Sequence, residues 1–430
     1  MKTMLQKVFA IGVVFLLGLS GPIGHGIASP IMLNPMVYVE QKVFAADGLP
    51  WDGFGVSVAI SGDTAIIGAS AATGLGGGGY AIVFTRQGTS WNFQQKLAAL
   101  DGCSSDGFGV SVALSGDTAL IGSNLGSAYI FTRSEETWTQ QAKLTAPGET
   151  AGSFGTSVAL DGDTALVGAY TTQVGANVSQ GAAYVYNRSG TNWSLQQTLT
   201  ASDGAATDYF GFSVALSGDA ALVGADKDDI GLTSDQGSAY VFTRSGGTTW
   251  TEQAKLTAAD GASRDWFGTS VALSADTALV GAIGANVGLN LMQGAAYVFT
   301  DNGTSWTQEA KLTASNGKII DFFGNSVAIL GDTAIMGAEY ADVGTSTDQG
   351  LAYVFTRSGG TAWAEQAPLA ASYGAKNDWF GSSVALSAET VLVGAFGDSI
   401  SGAIGQGAAY FYEKVLPFTT YLPVIKNVSS

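Results

Sequence analysis

Short runs in which apolar residues alternate with small or polar ones recur along nearly the whole chain. In Gly55–Ile60, Val56, Val58 and Ile60 alternate with Gly55, Ser57 and Ala59. A period of two predicts a strand rather than a helix. Ser61-Gly62-Asp63 has the composition of a tight turn and leads to a second run, Thr64–Gly68. A third run is Ala81–Arg86, and a fourth opens at Trp91. We name these strands A to D. No helical run of useful length appears beyond the N-terminal segment.

The same four runs return seven times. Each set is marked by a Phe-Gly pair at the start of strand A, at Phe54, Phe108, Phe154, Phe210, Phe267, Phe323 and Phe380. The spacings are 54, 46, 56, 57, 56 and 57 residues. A period near 50 means a propeller or a solenoid. Four antiparallel strands per unit select an all-β, seven-bladed β-propeller. Small residues on strand A suit the centre, where seven strands converge.

The last unit holds only strands A, B and C, ending near Tyr412. Its missing D lies at the other end. Tyr38-Val39-Glu40-Gln41-Lys42-Val43-Phe44 matches the strand-D segment Trp-Thr-Glu-Gln-Ala-Lys-Leu at Trp250–Leu256. The N-terminal strand is therefore expected to complete the last blade. One domain over residues 36–415 replaces the two or three that 430 residues alone suggest.

Residues 1–28 read as a secretory signal peptide: Lys2 and Lys7, an apolar run from Val8 to Leu19, and a small-residue cleavage site at Gly26-Ile27-Ala28. The run is too short to span a bilayer. The expected product is secreted, with no transmembrane helix after cleavage. Residues 416–430 form a tail containing Tyr421-Leu422-Pro423-Val424-Ile425.

Composition then narrows the chemistry. Charged residues are 12%, about half the usual ~25%. The formal charge is −17, and loss of Lys2 and Lys7 makes it −19. That acidity argues against a nucleic-acid partner. A single Cys, Cys103, permits no intramolecular disulfide. The only histidine, His25, lies in the segment expected to be removed. Histidine-dependent nucleophilic catalysis is then absent from the mature chain.

The Phe-Gly and Gly-Ala pairs, such as Phe210-Gly211 and Gly224-Ala225, resemble FG-GAP repeats over about residues 36 to 415. The resemblance implies the seven-bladed propeller of integrin α heads and of many secreted bacterial proteins. Integrin-type repeats often carry an Asp-x-Asp-x-Asp-Gly calcium loop between strands A and B. Here that connection is only Ser115-Gly116-Asp117 or its equivalents. One carboxylate does not supply the six to eight oxygens calcium prefers. No cofactor is expected, and the chain is closer to calcium-free bacterial variants. Asp301-x-Gly303-x-Ser305-Trp306 resembles the Asp-box turn of sialidases, which is structural there too.

Alternating strand directions put the D–A and B–C loops on one face. That face is long and variable, so it is the expected binding face. Asp52, Asp106, Asp208, Asp265, Asp321 and Asp378 each stand two residues before the Phe, where repeat three has Gly152. They form either a carboxylate ring for a partner or a set of Asx-type turns. Trp266 and Trp379, beside Tyr209 and Phe322, are candidate sugar platforms or packing residues. Arg264 is the one arginine on this face. Asp226, Asp228 and Asp229 are the only weak metal candidate. From strand-B Gly to the strand-C aromatic position five repeats span 16 residues; repeat one spans 14 and is glycine-rich at Gly76–Gly79. Repeat two spans 7, from Gly122 to Tyr129, which predicts a notch in the rim near Cys103.

The leading expectation is a monomeric, secreted binding or adhesion propeller for an extracellular protein or glycan. The alternatives are a carboxylate-dependent polysaccharide hydrolase or lyase, and a non-catalytic structural surface protein.

Overall fold

The computed structural model describes residues 37–70, 78–102, 106–148 and 153–415. The expected signal peptide, the tail, Cys103, Gly152, Gly76 and Gly77 lie outside them. The described chain forms seven four-stranded antiparallel sheets. In blade one, strands A to D are Phe54–Ser61, Thr64–Ala69, Tyr80–Gln87 and Ser90–Leu97.

Blade seven is built from both ends. Phe380–Leu386, Thr390–Ala395 and Ala408–Val415 supply A to C, and Val37–Val43 supplies D. Val43 pairs with Ala409, Gln41 with Phe411 and Tyr38 with Lys414. The expected closure is what the chain does. At this seam Trp91 of blade one stacks on Phe411 of blade seven, with centroids 4.3 Å apart. The Trp91 Nε1 donates to Glu413 Oε1 at 2.7 Å.

Strand lengths depart from uniformity for a local reason in blade six. Its strand D is only Trp363–Glu365. Pro368 stands where Lys96, Lys143, Lys255 and Lys311 stand in other repeats, and a proline has no N–H for the ladder. Pairing resumes at Leu369, whose N–H donates to the Ala352 carbonyl at 2.8 Å.

The apolar core lies between blades. One cluster joins Leu166, Val185 and Leu199 of blade three to Phe210, Val223 and Phe242 of blade four. The Phe of every Phe-Gly pair is fully buried. A side chain of this size contributes about 1.5–3 kcal/mol on burial. The glycines allow the backbones to meet. A Cβ on Gly68 of blade one would lie 2.0 Å from the carbonyl oxygen of Gly109 in blade two. The Phe-Gly glycine of one unit and the Gly-Ala glycine of the preceding unit are thus two sides of one joint. Ser57 Oγ, in the same joint, donates to the Gly109 carbonyl at 2.8 Å.

Candidate binding site on the loop face

The A–B and C–D turns make one face. There an Arg ending strand C meets an Asp on the A–B turn in five blades. Arg86, Arg133, Arg188, Arg244 and Arg357 donate through Nε to Asp63, Asp117, Asp163, Asp219 and Asp332 at 2.6–2.7 Å. Arg133, Arg188 and Arg244 also reach a strand-B Thr of the preceding blade. The arginines are spent on structure. In blade five Asp301 replaces the Arg and accepts the Gly303 N–H at 2.9 Å, so it closes its own turn.

On the opposite face the B–C loops of blades three to seven run beside the D–A loop entering the next blade. Arg264, Trp266 and Phe267 N–H groups donate to the Ser234, Asp235 and Gln236 carbonyls at 3.0, 3.3 and 2.9 Å. Arg264 and Trp266 take φ of 66° and 55°. Left-handed backbone costs an L-residue roughly 1–2 kcal/mol. The same pattern holds Thr207 and Tyr209, Ile320 and Phe322, and Asn377 and Trp379. A conformation repeated at successive junctions belongs to the joint between blades.

The six recurring aspartates stand within these loops and are only 2–6% exposed. Asp52, Asp208, Asp265, Asp321 and Asp378 each accept the backbone N–H three residues earlier, at 2.6–2.9 Å. This is the turn role, and it turns the carboxylates inward. Burial pushes Asp208 and Asp378 up to about 6, and raises Asp265 and Asp321 above the usual carboxylate range. Asp106 is buried in the same position in blade two.

The acidic cluster of blade four does not converge. Asp228 accepts from Ser238 Oγ and Tyr240 OH at 2.5 and 2.9 Å and pairs with Lys255 at 2.7 Å. Asp229 accepts the Asp235 N–H at 2.8 Å. Asp226 is buried, and its Oδ1 has no protein partner. Burial pushes its carboxyl up to about 7. Among the described residues no group of three His, Cys, Asp or Glu side chains is placed to hold a metal ion.

Repeat two is short where expected. Its B–C connection is Ser123–Ser127, closed by the Ser123 N–H donating to the Ser127 carbonyl at 3.0 Å. It is too short to form the three-bond lock seen at the later junctions.

Two features of this face escape the repeat pattern. The first is apolar exposure at loop tips: Leu232 and Leu289 occupy the same hairpin-tip position in blades four and five and are fully exposed. The second lies around the axis. A cavity of about 250 Å³ is lined by the x-Ser-Val residues in the first half of all seven strands A. In the loops next to the cavity-lining residues Asn325 and Ser382, whose N–H groups donate to the Phe322 and Trp379 carbonyls, four half-buried rings make an arc. Phe322 and Tyr340, Tyr340 and Trp379, and Trp379 and Phe396 have centroids 5.3, 6.4 and 4.8 Å apart. The sequence signal nearest this arc is the position after each Gly-Ala pair, which supplies Phe396 and precedes Tyr340. It holds Ser70, Tyr170, Asp226, Ile283, Glu339 and Phe396, and so varies where its neighbours repeat.

Among the described residues no helix is long and apolar enough to cross a membrane. No curated protein matches the chain. The family model for the FG-GAP repeat matches residues 38–84, 91–131, 138–186, 193–242, 250–299, 306–355 and 363–412.

Proposed function

Because the chain belongs to the FG-GAP repeat family, we propose that it is a secreted, non-catalytic binding module that engages an extracellular protein or glycan through its D–A and B–C loops. One observation carries the reading. Of the 17 large apolar side chains exposed among the described residues, 13 stand on these loops, three on D strands and one, Leu330, at the end of a strand A beside the opposite turns. Exposed apolar surface concentrated on one face marks an interaction site.

The carboxylates support binding over catalysis. A glycosidase needs two carboxyl groups facing one substrate. Five of the six recurring aspartates instead cap their own loops.

The test is a screen of the mature protein against panels of glycans and matrix proteins. A bound partner should be lost on the double substitution Leu232→Ser, Leu289→Ser and kept in the turn-face variant Asp219→Asn. Absence of any partner, or binding indifferent to the leucines, rejects the reading. Secretion is checked by mass spectrometry of the exported chain, with Ser29 as the expected first residue.

A further inference from the structure

The loop face leaves buried hydrogen-bonding groups without a protein partner beside aromatic rings at two junctions, with Asp226 Oδ1 and Trp266 Nε1 at blades four and five and a larger set at blades six and seven. Around the junction of blades six and seven, Asn325 Oδ1, Ser382 Oγ and Trp379 Nε1 are buried without a protein partner. Buried polar groups in native proteins are nearly always satisfied, so each such atom asks for an explanation. They sit together. Asn325 Nδ2 donates to the Gly381 and Ser382 carbonyls at 3.1 and 3.3 Å. The Ser382 N–H donates to the Trp379 carbonyl at 3.2 Å. Asn325 and Ser382 both line the axial cavity.

Glu339 adds a carboxylate. It follows Ala338, whose nitrogen lies 3.2 Å from where a Cβ on Gly381 would stand, so it belongs to the same junction. The neighbouring Tyr340 ring faces Trp379.

The donor set selects the ligand. An indole N–H only donates, a carboxylate and an amide oxygen only accept, and a serine hydroxyl does both. A cation could not satisfy the indole. A ligand with hydroxyl groups, each able to give and to take, satisfies all four. The aromatic arc offers ring faces to an apolar C–H surface. Both properties meet in a sugar ring.

We propose that the cavity mouth at the blade six and seven junction is a saccharide-binding site. Tyr340, Trp379 and Phe396 take the C–H face of a sugar, and Asn325, Ser382 and Glu339 take its hydroxyls. The site rests on the binding-module reading and names one class of ligand for it. Because the unpartnered atoms are covered, occupancy turns Ser382 or Asn325 toward the cavity. Blades four and five supply an internal comparison. There Asp226 and Trp266 hold the positions of Glu339 and Trp379, but Lys227 Nζ lies over the Trp266 ring at 4.1 Å from its centroid. That ring face is already covered, although the Trp266 Nε1 and Asp226 Oδ1 also lack a protein partner.

The experiment titrates the mature protein with D-glucose, D-galactose, N-acetyl-D-glucosamine and their β-linked disaccharides, followed by tryptophan fluorescence and calorimetry. Tetramethylammonium chloride is the cation probe. At least one sugar should bind saturably. Ser382→Ala and Trp379→Phe should each weaken it at least about tenfold; Ser382→Ala should keep the parent's melting temperature, since its hydroxyl has no protein partner, whereas Trp379→Phe also loses packing on Tyr340 and Phe396. Trp266→Phe should leave the affinity unchanged. No response to any sugar, a response that survives Ser382→Ala and Trp379→Phe, or a response to tetramethylammonium alone overturns the proposal. If partner capture sensitive to Leu232 and Leu289 persists while all sugars fail, only the saccharide site falls. If both fail, the binding-module reading falls with it.

Discussion

Ser383 donates its hydroxyl to the carbonyl of Gly55, 2.8 Å away and 328 residues earlier in the chain. The bond repeats, across the seam, what Ser57, Ser213 and Ser270 do between consecutive blades. The ring is therefore held at its seam by the same latch as elsewhere. Ser383→Ala should cost about 1 kcal/mol, the usual net worth of such a bond. Ser213→Ala, an interior latch, should cost the same within error. Urea unfolding of the two variants measures the difference, and a much larger loss at Ser383 would mark the seam as the weak joint.

The glycine joint makes a sharper contrast. Gly68→Ala places a methyl 2.0 Å from the Gly109 carbonyl oxygen, and backbone must move on both sides. Overpacking of this kind costs about 1–3 kcal/mol or more. Gly62→Ala meets nothing within 4 Å and carries only the strain of φ +56°, roughly 1–2 kcal/mol. Gly68→Ala should therefore lower the melting temperature further than Gly62→Ala. The reverse order would contradict the close approach of blades.

The aspartate ring separates structure from recognition. Asp208 accepts the Ala205 N–H at 2.6 Å. Asp208→Asn keeps an accepting oxygen and removes a buried charge, so it should leave stability at pH 8 equal or higher. Asp208→Ala removes the cap and should cost about 1–2 kcal/mol. Partner binding should survive Asp208→Asn. Loss of binding with full stability would return the carboxylate to the surface role.

The pH dependence follows from burial. Asp226 and Glu339 are both pushed up to about 7, from ordinary values near 4, by loss of solvent. Between those pH values the folded chain holds more protons than the unfolded one. Stability must then fall as pH rises from about 4 through about 7. At the acid end the opposite groups act. Hydrogen bonds from Lys96 and Lys143 hold Asp47 and Asp101 below the usual range, and that contribution is lost below about pH 4. The melting temperature should peak on the acid side of neutrality. In Asp226→Asn, Glu339→Gln the decline toward pH 8 should flatten, while values near pH 4.5 change little.

Much of this molecule can be read from its amino acids, because period-two alternation and a 50-residue recurrence each exclude most other folds. The D strand at Tyr38–Phe44 was legible because the Glu-Gln pair of other D strands recurs there. The shortened strand at Trp363 follows from Pro368. The site was less legible. The aspartates recur because the loops recur, so their recurrence speaks of turns. The arc of Tyr340, Trp379 and Phe396 brings together positions from three separate segments and two blades. Nothing in one repeat shows that Tyr340 lies beside the tryptophan 39 residues later. Only the packing of blade six against blade seven puts them side by side.

The matched units begin on an outermost strand and end on strand C, one strand out of step with the sheets. Every unit therefore hands its first strand to the sheet before it. A ring made this way has no privileged starting point: cutting it before any D strand and joining the present ends would yield a chain of the same grammar. A gene built on such units can gain or lose one whole copy and still leave an edge at each end that fits the other.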